Sequence, residues 1–322
     1  MTQNRRIVLN IVATYGRSLY LLAIGLLCGR WTLMALGVVD YGLYGVVGGI
    51  TAFISFFNGI LSGAVGRFYA FSIGKMDAAI DKGLVLHECR RWFTAAVVIH
   101  SIVPLFLMTA GYPIGMWAVK NYLTIPPDRV ADCVWVFRFV CVTCFCGMIS
   151  VPFNAMYTAK QYIAELTIYS FVTSTINVVC LYYMVTHSGV WLRAYAMLAC
   201  LLSVVPSIII LVRAVIIFEE CRFLWRNVFN VRDLRKIVSF AGWNFFGAIG
   251  NLLKGAGMTV LVNKMLGPIF NASVTIANVV AGQTQTLSVS IVNAFNPAIT
   301  NACGAGNWER MILLINQHYI CL

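Results

Sequence analysis

Residues 192–218 read LRAYAMLACLLSVVPSIIILVRAVIIF. Between Arg193 and Arg213 no charge interrupts the run. A helix rises about 1.5 Å per residue, so roughly 20 apolar residues cover the ~30 Å hydrocarbon layer of a bilayer. A barrel strand crosses with about ten residues that alternate in polarity, and this stretch does not alternate. It reads as a membrane-spanning helix. The whole chain repeats the pattern: 322 residues, 60% hydrophobic and 11% charged, with a mean hydropathy of +0.83. A soluble chain carries about 25% charged residues and has to cover its outside with them. Inside lipid only helices and closed barrels satisfy their own backbone groups. The fold class expected is therefore all-α membrane, a polytopic helical bundle.

Apolar runs and their breakers give eight spans: Ile7–Leu36, Tyr41–Ile73, Trp92–Trp117, Ala131–Tyr157, Tyr162–Thr186, Leu192–Phe218, Ile237–Met265 and Asn271–Thr300. A turn at Gly37–Asp40 is expected after the first and a charged loop from Lys75 to Arg91 after the second. The formal net charge of +12 comes from 23 Lys+Arg against 11 Asp+Glu. Most of these basic residues sit at the N-terminus and in the loops after spans two, four and six, so membrane orientation explains the excess and no nucleic-acid partner is expected. The same bias predicts a cytoplasmic N-terminus in a bacterial inner membrane. Arg5 and Arg6 precede a run too long for a signal peptide.

An internal repeat is visible. Arg5-Arg6-Ile7-Val8 aligns with Arg235-Lys236-Ile237-Val238, and Leu36-Gly37 with Leu266-Gly267, at one offset (235 − 5 = 266 − 36 = 230). Six spans separate the copies, so sidedness is preserved, as in parallel repeats about an axis along the membrane normal. This divides the chain into a six-helix lobe (1–218), a basic linker (219–236) and an incomplete second lobe (237–322) holding two spans and the start of a third. The offset implies a second lobe ending past position 450, so the chain is expected to be C-terminally truncated, the alternative being a short homologue that dimerises.

Four basic residues fall inside spans: Arg17, Arg67, Arg138 and Lys254. A buried charge in a bilayer costs from ~2.5 to more than 10 kcal/mol and usually faces a polar interior. Arg17 lies ten residues beyond Ile7 (17 − 7), roughly 15 Å in and near the midplane, on one helical face with Asn10 and Thr14. Asn244, Gly247, Asn251 and Lys254 recur at helical spacing along span seven. That stripe can line a cavity or hold helices together. Arg138 sits a third of the way into span four, and Arg67 is close enough to its span end to snorkel. Arg30 is placed to pair with Asp40. No Asp or Glu lies deep in a span, so a cavity of cations without balancing carboxylates attracts an anion, and Arg suits phosphate. Cys141, Cys144 and Cys146 cluster without the second pair or histidine that a metal site needs. His100 lacks a carboxylate partner, and no phosphate loop or paired-carboxylate motif is present. Neither a cofactor nor an enzymatic activity is expected.

ALGVVDYGLYGVVGGI (35–50), FFNG and GRF (66–68), together with SFAGWNFFG (239–247), LGPIFNA (266–272), NAFNPAIT (293–300) and FEECRF (218–223), resemble a known family. It is the polysaccharide-transporter branch of the multidrug/oligosaccharidyl-lipid/polysaccharide exporter superfamily, the Wzx-type O-antigen and capsule flippases of Bacteroides-like bacteria. The resemblance implies two six-helix lobes around a central cavity and transfer of an undecaprenyl-pyrophosphate-linked oligosaccharide to the periplasmic leaflet. It implies Arg17 and Lys254 as pyrophosphate ligands, with Arg138, Asn244, Asn251 and Arg67 as further cavity residues. Partners would be the lipid-linked oligosaccharide, membrane lipids and glycan-assembly enzymes. A drug exporter of the related multidrug branch and a non-transporting scaffold for glycan assembly are the alternatives.

Overall fold

The computed structural model describes residues 3–78, 81–225 and 231–321, without side chains over 3–15, 50–60, 243–248, 286–295 and a few flanking positions. These residues form an all-helical bundle with no strand among them. The long helices are α1 (Gln3–Ala78), α2 (Lys82–Trp117), α3 (Val130–Ala159), α4 (Ile163–Thr186), α5 (Leu192–Ile217), α6 (Val231–Leu252), α7 (Met258–Gly304) and α8 (Trp308–Cys321). Six stretches are long and apolar enough to cross a membrane: Leu19–Gly49, Lys82–Tyr122, Pro127–Ala159, Ile163–Thr186, Leu192–Ile217 and Leu253–Gly282. Their outward faces are apolar as well, with Phe106, Ile114, Val179, Ile216 and Met265 all exposed. An outside built of such side chains belongs in lipid, and the chain is a membrane protein. The expected spans Tyr41–Ile73 and Asn271–Thr300 are helical too, with middles whose side chains are not described.

At 76 residues, a straight α1 would measure about 114 Å, several bilayers thick. It is broken at Gly37, where φ 75° and ψ 170° leave the helical region. α7 is broken in the same way at Gly267, with φ 83° and ψ −179°. That corner of backbone space is open to glycine alone, which is why each repeat carries Leu-Gly there. A single residue does the work of the expected four-residue turn.

The expected loop from Lys75 to Arg91 shrinks as well. α2 begins at Lys82, capped by the Asp81 side chain, which accepts hydrogen bonds from the backbone N–H of Gly83 at 2.9 Å and Leu84 at 3.3 Å. Charge on 82–91 does not stop a helix; it only keeps that part of it in contact with water or with partners. Beyond α5 the linker folds tightly onto the first lobe. Phe218 packs edge-on against Tyr157 and Tyr162, the Lys160 ammonium pairs with Glu220 at 2.5 Å, and the Leu224 N–H reaches the Thr94 hydroxyl at 3.0 Å. Cys221 is buried there, and burial pushes its thiol pKa up. α8 returns onto the end of α7 through Leu314 against Ala298 and Ala302.

Replacing Gly37 or Gly267 by alanine forces a Cβ into the strained region, at a cost of about 1–3 kcal/mol each. Thermal unfolding in detergent is expected to show a clear drop in Tm for either variant. Gly111→Ala, on a helix with open space around it, is expected to leave Tm unchanged or slightly raised.

Candidate functional site

The two glycine bends organise a seam between α1 beyond Gly37 and α7 beyond Gly267. Near the bends, a Cβ on Gly42 would strike the Pro268 carbonyl, and one on Gly45 would strike the Thr275 side chain. At the far end, a Cβ on Gly74 would strike the Asn301 carbonyl, and one on Gly304 the Phe71 carbonyl. Flanking contacts join Gly29 to Val279 and Gly49 to Thr259, each at 3.3 Å from an added Cβ. Five of these six contacts obey the 230-residue offset. Gly45 meets its own mate Thr275 (45 + 230), the Gly74–Asn301 contact maps onto Gly304–Phe71, and Gly29–Val279 maps onto Thr259–Gly49. Contacts that exchange in this way define a pseudo-two-fold axis. Because 42→74 and 268→304 run side by side in the same direction, the axis lies along the two helices.

The seam is tied at both ends. At the bend end the Asn271 amide donates to the Gly42 carbonyl at 3.0 Å, the Thr124 N–H donates to the Asn263 side chain at 3.3 Å, and Lys264 donates to the Tyr122 carbonyl at 3.1 Å. At the linker end Arg91 grips Asp233 with two nitrogens at 2.8 and 3.0 Å, joining α2 to α6. The Asp233 carboxylate is 2% exposed. There, too, the buried Asn301 amide lies among the carbonyls of Ala70, Ala159 and Pro297, bridging α1, α3 and α7.

The expected site residues fall into three groups. The side chains of Arg17, Asn244 and Asn251 lie outside the described residues. Lys254 is exposed and sits on a π-helical turn, Leu253–Gly257, between α6 and α7. Such turns widen a helix and are frequent at functional sites. Among the described residues Lys254 makes no ion pair or hydrogen bond. The next turn of the same helix, at Ala256 and Thr259, faces Gly49 of α1. Arg138 and Arg67 stand apart from it. Arg138 stacks its guanidinium over Trp135 at 5.0 Å, a ring that Arg193 also approaches at 5.9 Å. Arg67 is exposed on α1, seven residues before Gly74 (74 − 67).

α1 is helical without interruption from Gln3 to the bend, so positions along it can be measured from Gly37. Arg17 lies twenty residues before Gly37 (37 − 17), roughly 30 Å below the bend. Lys254 lies thirteen before Gly267 (267 − 254), about 20 Å below it. Lys254 is thus the deeper of the two when measured from the linker end. The expected Arg30–Asp40 pair is replaced. Asp40 pairs with Arg129 of the loop before α3 at 3.3 Å, because α3 begins beside the bend, whereas Arg30 is ten residues away along a helix (40 − 30).

One polar run escaped the motif reading. α7 carries Gln283-Thr284-Gln285-Thr286 and then Ser288, Ser290, Asn293 and Asn296. Gln285 and Asn296 are exposed on the helix that forms the seam. Amides and hydroxyls at that density in a membrane helix are a signal for a wet or ligand-bearing face, and their spacing was legible. No protein-family model matches the chain, and no curated protein matches it.

Two outcomes test the seam. With the native cysteines removed, Ser72→Cys is expected to resist an impermeant maleimide, since Ser72 is 1% exposed, and to label once Gly74→Val pushes the helices apart. Breaking one side of a buried ion pair costs about 3–5 kcal/mol, so Asp233→Ala is expected to destabilise the linker end severely. The double variant Arg91→Met/Asp233→Leu is expected to recover much of that Tm.

Proposed function

We propose that this chain translocates an undecaprenyl-pyrophosphate-linked oligosaccharide across a bacterial inner membrane by alternating access around the seam, as a member of the Wzx-type polysaccharide-transporter branch. The observation that carries the reading is the pseudo-two-fold seam with a lone cation, Lys254, on a widened helical turn beside it. Two lobes related by an axis along the membrane normal are the architecture in which substrates bind between halves. A seam closed by separate ties at each end has the means to open at one end and then the other. On this reading the linker end faces the cytoplasm, together with the N-terminus.

The charge balance supports an anionic substrate. Seven acidic side chains (Asp40, Glu88, Asp128, Asp132, Glu165, Glu220, Asp233) are taken up in ion pairs, all toward helix ends. No described carboxylate pairs with Lys254. Arg17, near the cytoplasmic mouth, would meet the pyrophosphate first. Lys254 has its symmetry mate at position 24 (254 − 230), seven residues past Arg17, and so would hold the group about 10 Å further in. The resemblance in the bend motifs and in NAFNPAIT points to the same substrate class. The amide and hydroxyl run of α7 supplies partners for sugar hydroxyls.

Arg17→Gln and Lys254→Gln are expected to abolish export of lipid-linked glycan, at wild-type protein levels, in cells lacking their own flippase. Lys254→Arg is expected to retain part of it. Resistance to cationic dyes is expected to be unchanged by expression of the chain. Wild-type export by both Gln variants would overturn the reading, and dye resistance would favour the multidrug branch.

A further inference from the structure

Outside the seam, the linker carries a cleft that the transport reading leaves unused. It has a volume of about 400 Å³ and opens at the linker end of the first lobe. Its floor is apolar: Phe93 and Phe153, packed edge-on with centroids 5.4 Å apart, and Val215 on the exposed side of α5. Phe223 and Trp225 form the lip, with centroids 5.0 Å apart. Trp225 is 83% exposed, the most solvent-open large apolar side chain among the described residues. Arg222 lines the same cleft, exposed, and makes no ion pair or hydrogen bond among the described residues.

Around this cleft the charge is unbalanced. Arg90 donates to the Glu219 carbonyl at 2.9 Å, which brings a second guanidinium to the linker. Lys236 lies over Trp92 at 5.8 Å, next to Phe93. Of the nearby carboxylates, Glu220 is held by Lys160 and Asp233 by Arg91, which leaves exposed Glu219 as the one opposing charge on the linker's first turn. Val215 lines the cleft at the last turn of α5, and Ile216 and Ile217 beside it are exposed, so with α5 across a bilayer the mouth would open near the level where acyl chains give way to headgroups. A tryptophan standing out from that level is a typical interfacial anchor, and basic pockets beside membrane helices on this side take anionic lipid heads.

We propose that the cleft is a binding site for one anionic phospholipid of the leaflet at the linker end, with an acyl chain between Phe93, Phe153 and Val215 and the phosphate on Arg222. The lipid would fasten the linker, and with it the start of α6, to the first lobe. This needs only that the helices lie in a bilayer. It stands independently of the transport reading.

The test uses the full chain in vesicles doped with a photoactivatable phosphatidylglycerol, with phosphatidylcholine and undecaprenyl phosphate analogues as separate probes. Phosphatidylglycerol is expected to crosslink to peptides containing 93–97 or 215–225. It is also expected to raise Tm in detergent where phosphatidylcholine does not. Arg222→Gln is expected to weaken phosphatidylglycerol binding about fivefold, Arg222→Lys to restore most of it, and Val215→Trp, which fills the cleft from its exposed side, to abolish the crosslink while the protein stays folded. Equal labelling by phosphatidylcholine, crosslinks confined to other peptides, or an unchanged affinity in Arg222→Gln would overturn the proposal. Preferential capture of undecaprenyl phosphate would also overturn it, by assigning the cleft to a carrier lipid.

Discussion

Two helices pressed together backbone to backbone set the terms for the rest of this molecule. In lipid no hydrophobic force drives helix association, since the tails are as apolar as leucine, so tight van der Waals contact and polar bonds have to hold the bundle. At Gly42, Gly74 and Gly304 a hydrogen is all the space allows, and carbonyl oxygens of the facing helix stand where a methyl would go. That approach also brings weak Cα–H donors to carbonyls. Once these helices are in register, the bends at Gly37 and Gly267 fix where the preceding helices must descend. The contacts Gly29–Val279 and Gly49–Thr259 follow from it.

Charge is arranged to serve the same frame. A carboxylate removed from water is tolerable only with a partner in good geometry, and the partnered ones are staples between elements. Arg129–Asp40 joins the bend to the start of α3, Arg193–Asp132 joins α5 to α3, Arg213–Glu165 joins α5 to α4, and Arg91–Asp233 joins α2 to α6. With these acids held near helix ends, Lys254 has no described carboxylate paired with it. The positive balance of the chain is therefore not a uniform coat. It combines ion pairs near helix ends with cations, Lys254 and Arg222 among them, that no described carboxylate pairs.

Much of this was legible because bilayer thickness and helical rise leave little freedom. Runs such as 192–218 could only be spans, and the repeat announced itself in Leu36-Gly37 and Leu266-Gly267. What was lost depended on neighbours remote in the chain. Asp40 looked closest to Arg30 along the sequence, yet Arg129 arrives from the loop before α3. Arg138 over Trp135 could have been foreseen, because residues three apart share a helical face. The cleft behind Phe223 and Trp225 could not, because it depends on how the linker folds back over α2, α3 and α5.

A two-fold frame builds two equal walls, and equal walls have no preference for a ligand in any one place. The positions at the bends and at the closest backbone approaches are matched between the repeats, Gly37 with Gly267, Gly42 with Ala272 and Gly74 with Gly304, whereas Gly29, Gly45 and Gly49 have Thr259, Thr275 and Val279 as mates. The positions that carry charge are not matched. Lys254 corresponds to Ile24, and Arg17 to Gly247. The offset that pairs the bends and the closest helix contacts therefore does not extend to these cations, and Lys254 stands on its widened turn, Leu253–Gly257, without a counterpart of similar charge in the first repeat.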